Sequence, residues 1–248
     1  MDESLAGKAV LVTGGARRLG AAIARRLHGA GACVLIHYRD SDADATKLEA
    51  ELNGVRPKSA SKVKAELLAP IAPRALVGAA LDSFGRLDVL VNNASAFFPV
   101  EVGQIELSHW EELIGSNLRA PLFISQEAAP ELAKQSGAIV NIVDIHAERP
   151  LKGYPVYSIA KAGLAAMTRA LAAELAPRVR VNGVAPGAIA WPDDGQFDSA
   201  ERDRIIETTP LGRVGTAEDV AQAVHFLACA PYVTGQIVAV DGGRSIFI

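Results

Sequence analysis

Seven short runs of apolar and β-branched residues recur along this chain, and a stretch of helical spacing follows nearly every one. That alternation restricts the fold more than any other feature. The runs are 9–12, 33–38, 61–66, 89–92, 138–143, 180–185 and 237–240. Their low polarity is that of strands buried on both faces rather than on one. Consecutive strands separated by helices pair in parallel, because a parallel connection needs a long crossover and a helix is the usual one. The intervening segments, 19–30, 42–52, 70–84, 109–134, 156–176 and 217–229, carry strong helix formers. Ser108 with Glu111 reads as a capping box, and Thr216 with Asp219 as a looser one. Pro121 is expected to kink or divide the long fourth helix. Segments 53–59 and 188–198 read as irregular loops. The expected fold is α/β: a doubly wound parallel sheet of about seven strands, helices on both faces, one domain over 1–248. A length of 248 residues suits a single domain with a full core.

Composition removes several functional classes. The 25 basic and 28 acidic residues give a net charge of −3, and no basic block stands out. Nucleic-acid binding therefore has no electrostatic support. No apolar run approaches the ~18 residues of a membrane span. The amino-terminal segment is short, acidic and unlike a signal peptide. Cys33 and Cys229 match no metal or redox spacing, and the five histidines show no ligand pattern, so no metal is expected. Two lone cysteines suit a reducing, cytoplasmic setting.

Two segments carry chemistry. The first strand runs into Thr13-Gly14-Gly15-Ala16-Arg17-Arg18-Leu19-Gly20 and then a helix. A strand, a glycine turn and a helix amino terminus together make an anion site of backbone N–H groups and helix dipole, suited to a pyrophosphate. Further on, Tyr157 and Lys161 stand four apart, with Asp144 upstream. On a helix that spacing puts phenol and ammonium on one face. The ammonium is expected to lower the phenol's pKa and make it a proton donor at working pH.

These segments together resemble the short-chain dehydrogenase/reductase family, whose glycine motif is T-G-x-x-x-G-x-G. The resemblance extends to Asn92-Asn93-Ala94 after the fourth strand, Asn117 in a long helix, Pro186-Gly187 after the sixth strand and Asp241-Gly242-Gly243 near the end. Three departures narrow it. Arg18 replaces the middle glycine of the loop, Asp144 stands where the family has serine, and Ser95, followed by Ala96-Phe97-Phe98-Pro99, stands where it has glycine. All three occur together in the pteridine reductase branch, which reduces pterins and folates with NADPH.

The resemblance implies a Rossmann-type NADPH-binding reductase with a substrate loop at about 188–207. Tyr157, Lys161, Asp144 and Asn117 would be catalytic, Asn117 by holding a water linked to the lysine. Gly14, Arg17, Arg18, Leu19, Gly20, His37, Tyr38, Arg39, Ser41, Asn93, Ala94, Ser95, Lys161, Pro186 and Gly187 would hold the cofactor. Arg18, Ser95, Phe97, Asp144, Tyr157 and Trp191 would bind substrate. An NAD enzyme would place a carboxylate near Tyr38, whereas Arg39 and Ser41 suit a 2′-phosphate. Asp40 comes two residues late for the diol and is discounted, and Glu66 falls near the adenine. The implied reaction is reduction of dihydrobiopterin, dihydrofolate or a related dihydropterin to the tetrahydro form, in a homotetramer with 241–248 at a subunit contact. The alternatives are a ketoreductase acting on acyl or other carbonyls, and a non-catalytic NADPH-binding regulator.

Overall fold

A computed structural model describes residues 4–189 and 198–246. Seven parallel strands form one sheet: β1 (Ala9–Val12), β2 (Cys33–Tyr38), β3 (Ala60–Lys64), β4 (Val89–Asn92), β5 (Ala138–Ile142), β6 (Arg180–Pro186) and β7 (Ile237–Val240). Their order is β3-β2-β1-β4-β5-β6-β7. The third strand begins at Ala60 and stops at Lys64, so Glu66 lies beyond it rather than at its end.

The helices are α1 (Arg18–Gly29), α2 (Asp42–Val55), α3 (Ala72–Phe84), α4 (Leu107–Ile114), α5 (Ala120–Lys134), α6 (Pro155–Leu175), α7 (Ser199–Glu207) and α8 (Ala217–Cys229). Alternation along the strands divides the core. Val10, Val12, Val34 and Ile36 pack with Ile23 and Leu27 of α1 and Val224 and Leu227 of α8. Leu11 and Leu35 face the other way, onto Leu76 of α3 and Ile124 and Leu132 of α5. Burial on both faces accounts for the largely apolar character of β1, β4 and β5.

The long fourth helical segment is divided, though not by a proline kink. A π-helical turn, Gly115–Arg119, separates α4 from α5, with the Ala120 N–H donating to the Gly115 carbonyl. Pro121 then falls in the first turn of α5, where a missing N–H costs nothing. The expected box of Ser108 and Glu111 does not form. Glu106 caps α4 instead, and its N–H donates to His109 Nδ1. The box of Thr216 and Asp219 is present on α8. Helix α7, capped by Asp198 and Glu201, follows the segment read as an irregular loop at 188–198 and forms the second part of the expected substrate loop at about 188–207.

The strand order reverses between β2-β1 and β4-β5, because β1 pairs with both β2 and β4. The crossovers leave opposite faces of the sheet there, and a crevice opens at the carboxyl ends of the strands. A cavity of about 980 Å³ lies at this position. Its shape depends on the turn after β1, where a Cβ on Gly20 would stand 2.1 Å from the Gly14 carbonyl oxygen. Gly20→Ala should therefore force the turn apart and destabilise the protein by about 1–3 kcal/mol or more, measured by urea unfolding. An unchanged midpoint would show that the turn opens without cost.

Candidate active site

The glycine turn is held from both flanks. From β4, Asn93 Nδ2 donates to the carbonyls of Thr13 (2.9 Å) and Gly14 (3.0 Å). The Thr13 hydroxyl oxygen accepts from the N–H groups of Asn93 and Ala94. From β2, His37 Nδ1 accepts the Gly14 N–H at 3.0 Å, and the His37 carbonyl accepts the Gly15 N–H. Arg17 occupies the N-cap of α1 in extended conformation, with no side-chain cap. The dipole end of α1 thus meets the cavity beside two guanidinium groups, since Arg17 and Arg18 both line it. Arg18 has φ of 48°, a left-handed value that glycine adopts freely and arginine does not.

At the far end of the cavity the cations are already paired. Arg39 Nε donates to Asp40 at 2.8 Å, with Glu66 at 3.9 Å from the same guanidinium, and Arg17 lies 3.4 Å from Asp44. Asp40 lines the cavity with Arg39 and Ser41. The Tyr38 hydroxyl is committed to Asp42.

The opposite end holds the reactive cluster. Strand β5 ends at Ile142 and delivers Asp144, and the first turns of α6 deliver Tyr157 and Lys161. The Tyr157 hydroxyl donates to Asp144 Oδ2 at 2.6 Å, and Asp144 Oδ1 accepts the His146 N–H at 2.8 Å. Lys161 Nζ donates to the Ile142 carbonyl at 2.9 Å and stands 5.6 Å from the Tyr157 ring centre. Tyr157 is 4% exposed and Lys161 2%. Burial, then the charge and hydrogen bond of Asp144, raise the Tyr157 pKa well above its ordinary value. This reverses the expectation from spacing alone: the carboxylate is in contact with the phenol, whereas the ammonium is not. Burial lowers Lys161 to about 8, against the opposing pull of Asp144.

Phe97, 36% exposed, makes the aromatic wall. It stacks on Tyr154 at 4.7 Å and meets Tyr157 edge-on at 4.8 Å. Ser95 Oγ donates to Asn117 Oδ1 at 2.7 Å, and Asn117 Nδ2 donates to the carbonyls of Ala96 and Leu113. Asn117 is thus fully buried and tied off within the π-helical turn, rather than open to the cavity. Gly187 also lies off the lining; it lets the chain pass Asp241, where a Cβ would come within 2.7 Å. Trp191 lies outside the described residues. The other candidate residues all line the cavity. Sequence reading missed Leu67, Leu68, Phe98, Glu112, Ser116 and Ile189 there, and Tyr154 behind Phe97. Phe98 lies inside the quoted Ala96–Pro99 run and Ile189 inside the expected substrate loop at about 188–207. Asn92 proves structural, its amide donating to Asn141 of β5 and to Ser125 of α5.

A parallel sheet with an anion-binding turn at its reversal point, and a tyrosine–lysine pair across the crevice, defines a nucleotide-dependent oxidoreductase. A family model described as enoyl-(acyl carrier protein) reductase matches residues 14–245. The chain belongs to the short-chain dehydrogenase/reductase family, which works with a nicotinamide cofactor. It is 40% identical, over 99% of each chain, to pteridine reductase 1 of Leishmania tarentolae. It is also 36% identical to a 3-oxoacyl-[acyl-carrier-protein] reductase of Synechocystis, over 98% of this chain and 99% of that one. A 3β-hydroxysteroid dehydrogenase of Eggerthella lenta shares 34% over the whole chain and 97% of its own. The site suits a nicotinamide dinucleotide: the glycine cradle admits backbone approach where a side chain would collide, and cations flank it. Among the described residues no acidic, histidine or cysteine cluster could hold a metal, and no helix is long and apolar enough to cross a membrane.

The lowered Lys161 pKa has a consequence for stability. Between pH 8 and 10.5 the unfolded chain holds a proton at this position that the folded chain has lost, so stability rises with pH. A fall from 10.5 to about 8 corresponds to about 3 kcal/mol. Relative to Lys161→Met, the wild type should gain roughly 2–3 kcal/mol between pH 7.5 and 10.5, measured by denaturant unfolding. A constant difference would mean that the ammonium is not destabilised by burial.

Proposed function

We propose that the protein is an NADPH-dependent pteridine reductase, converting dihydropteridines such as dihydrobiopterin or dihydrofolate to their tetrahydro forms. The observation that carries this reading is Asp144, a carboxylate in contact with the Tyr157 hydroxyl at the cavity wall. A hydroxyl at this position would donate to a carbonyl oxygen. A carboxylate accepts, and a 2-amino-4-oxo pterin ring presents amino and ring N–H donors in parallel. Phe97 offers a flat face for such a ring. Arg18 and Ser95 stand where they can hold the substrate, and Trp191 is assigned to the same role from sequence.

Bound NADPH would supply hydride to the carbon of a C=N bond. The raised pKa keeps Tyr157 protonated until that nitrogen becomes basic, so the phenol acts as acid rather than as base. Asp144 orients the ring and is placed to relay to the Tyr157 phenolate a proton taken up from solvent. Lys161 holds the nicotinamide ribose and stabilises the phenolate left behind. Gly14, Arg17, Leu19, Gly20, Asn93, Ala94 and Pro186 receive the dinucleotide along the turn and the strand ends, and Arg39 and Ser41 read its 2′-phosphate. Asn117 supports this wall rather than carrying protons. We also propose one NADPH-binding reductase domain with its substrate loop at about 188–207, a cytoplasmic setting and a homotetramer. The exposed Leu107, Trp110, Leu122 and Phe123 of α4 and α5 favour association.

The deciding experiment follows NADPH consumption with dihydrobiopterin, with dihydrofolate and with an acetoacetyl thioester. Turnover of the pterins alone is expected. Turnover of the thioester alone would favour the ketoreductase reading, which the resemblance to the 3-oxoacyl reductase keeps in view. Asp144→Ser should lower dihydropterin reduction by orders of magnitude while NADPH still binds, because a hydroxyl cannot accept two ring N–H bonds in parallel. Retention of most activity would remove Asp144 from substrate recognition. Arg39→Ala should weaken NADPH binding by ~10- to 100-fold and leave NADH nearly unaffected, the loss of a charge-assisted hydrogen bond of about 1.5–3 kcal/mol. Equal losses for the two cofactors would show that Arg39 does not read the phosphate.

A further inference from the structure

His37 lines the cavity, yet neither of its ring nitrogens is available to a ligand. Nδ1 lies 3.0 Å from the Gly14 nitrogen, and Nε2 lies 3.1 Å from the Ala65 carbonyl oxygen. A backbone N–H can only donate, so Nδ1 must carry a lone pair. A carbonyl can only accept, so Nε2 must carry the proton. The two bonds together fix one neutral tautomer. The ring is 2% exposed and spans the space between the turn after β1 and the segment after β3. Beyond the ring, the Gly15 N–H donates to the His37 carbonyl at 2.8 Å, so one residue holds two successive N–H groups of the glycine turn.

We propose that His37 is a positioning residue for the cofactor: as the neutral Nε2–H tautomer it sets the glycine turn, and protonation of the ring releases that turn and weakens dinucleotide binding. A protonated ring would aim an N–H at the N–H of Gly14, donor against donor, and one of the two must swing away. Gly14 has φ of 60°, and a Cβ there would lie 3.0 Å from Ala94 Cα, so the turn has no slack on the β4 side. The displacement therefore falls on the part of the turn that faces the cavity. The charged groups at this end are Arg17 and Arg18 on the turn, Arg39 and Asp40 after β2, Glu66 after β3 and Glu112 on α4. Burial holds the pKa of the ring below the ordinary 6.5, against the opposing effects of the Ala65 carbonyl bond and, among these charges, of Glu66. The ring is accordingly neutral at pH 7 and titrates only in more acidic solution.

This inference rests on the cofactor reading and is independent of the pterin. It is tested first on the ligand-free protein, by nitrogen-15 NMR of labelled histidine with the His37 signals assigned by their absence in His37→Gln. The Nε2–H tautomer is expected, with a midpoint below 6.5. A second measurement titrates NADH binding by fluorescence from pH 7.5 to 5, with circular dichroism confirming that the fold persists. NADH is the probe because the 2′-phosphate of NADPH titrates near pH 6 itself. NADH affinity should fall with the midpoint of the ring, by up to about tenfold per pH unit below it. In His37→Gln it should be weaker at pH 7.5 and no longer follow pH. The Nδ1–H tautomer, or NADH affinity that stays level through the titration of the ring, would overturn the proposal. Absence of any dinucleotide binding at pH 7.5 would overturn the cofactor reading, and this inference with it.

Discussion

Between Thr13 and Gly20 the chain leaves the centre of the sheet, passes in contact with the backbone at Ala94 and enters a helix. Asn93 binds the carbonyls of that turn and His37 its N–H groups, so the two flanking strands grip opposite polarities of one short segment. Because β1 is paired on both sides, the turn is also fixed relative to β2 and β4. The rest of the site is arranged about this point. Arg39 and Ser41 follow β2, Ser95 and Phe97 follow β4, and Asp144 follows β5, all at the same edge because the strands are parallel. The geometry of the crevice is thus a property of sheet pairing before it is a property of any loop.

The reactive end shows how position overrides residue type. A tyrosine four residues from a lysine invites a lowered pKa, yet the lysine's ammonium is turned to the Ile142 carbonyl and the phenol is bonded to a carboxylate. Replacing serine by aspartate at this position therefore does more than change the substrate contact. It inverts the electrostatic setting of the acid, and it gives the buried Lys161 a negative neighbour that partly offsets its desolvation. A site built this way donates protons and accepts hydrogen bonds, which is the polarity that reduction of a ring with several N–H groups calls for.

Strands β1, β2, β4 and β7 were legible in the sequence at both ends, because short apolar runs bounded by turns leave little choice, and α8 likewise, its start marked by Thr216 and Asp219. The edge strand β3 was read one residue late at its start and two too far at its end: its Ser-Lys-Val-Lys pattern is half-exposed and carries no sharp boundary. Helix α7 buries none of its residues, so it has no apolar face to betray it. The motif residues of the site could be read because their spacing reflects local turns. Their partners could not. Ser95 meets Asn117 and Arg39 meets Glu66 only after the sheet has formed, and the direction of the Tyr157 shift depends first on burial and then on the contact with Asp144. Asn117 was assigned to a water relay by resemblance, and only the packing of the π-helical turn shows both ends of its amide engaged.

Arg18 carries a different kind of consequence. The backbone there is left-handed, which costs a side-chain-bearing residue about 1 kcal/mol relative to glycine. A chain selected for folding alone would place glycine at this position, as the family motif does. Arginine gives up that conformational ease and places a guanidinium on the cavity wall instead. Backbone ease and cavity charge are thus opposed at this one position: glycine would relax the turn and remove the cation together.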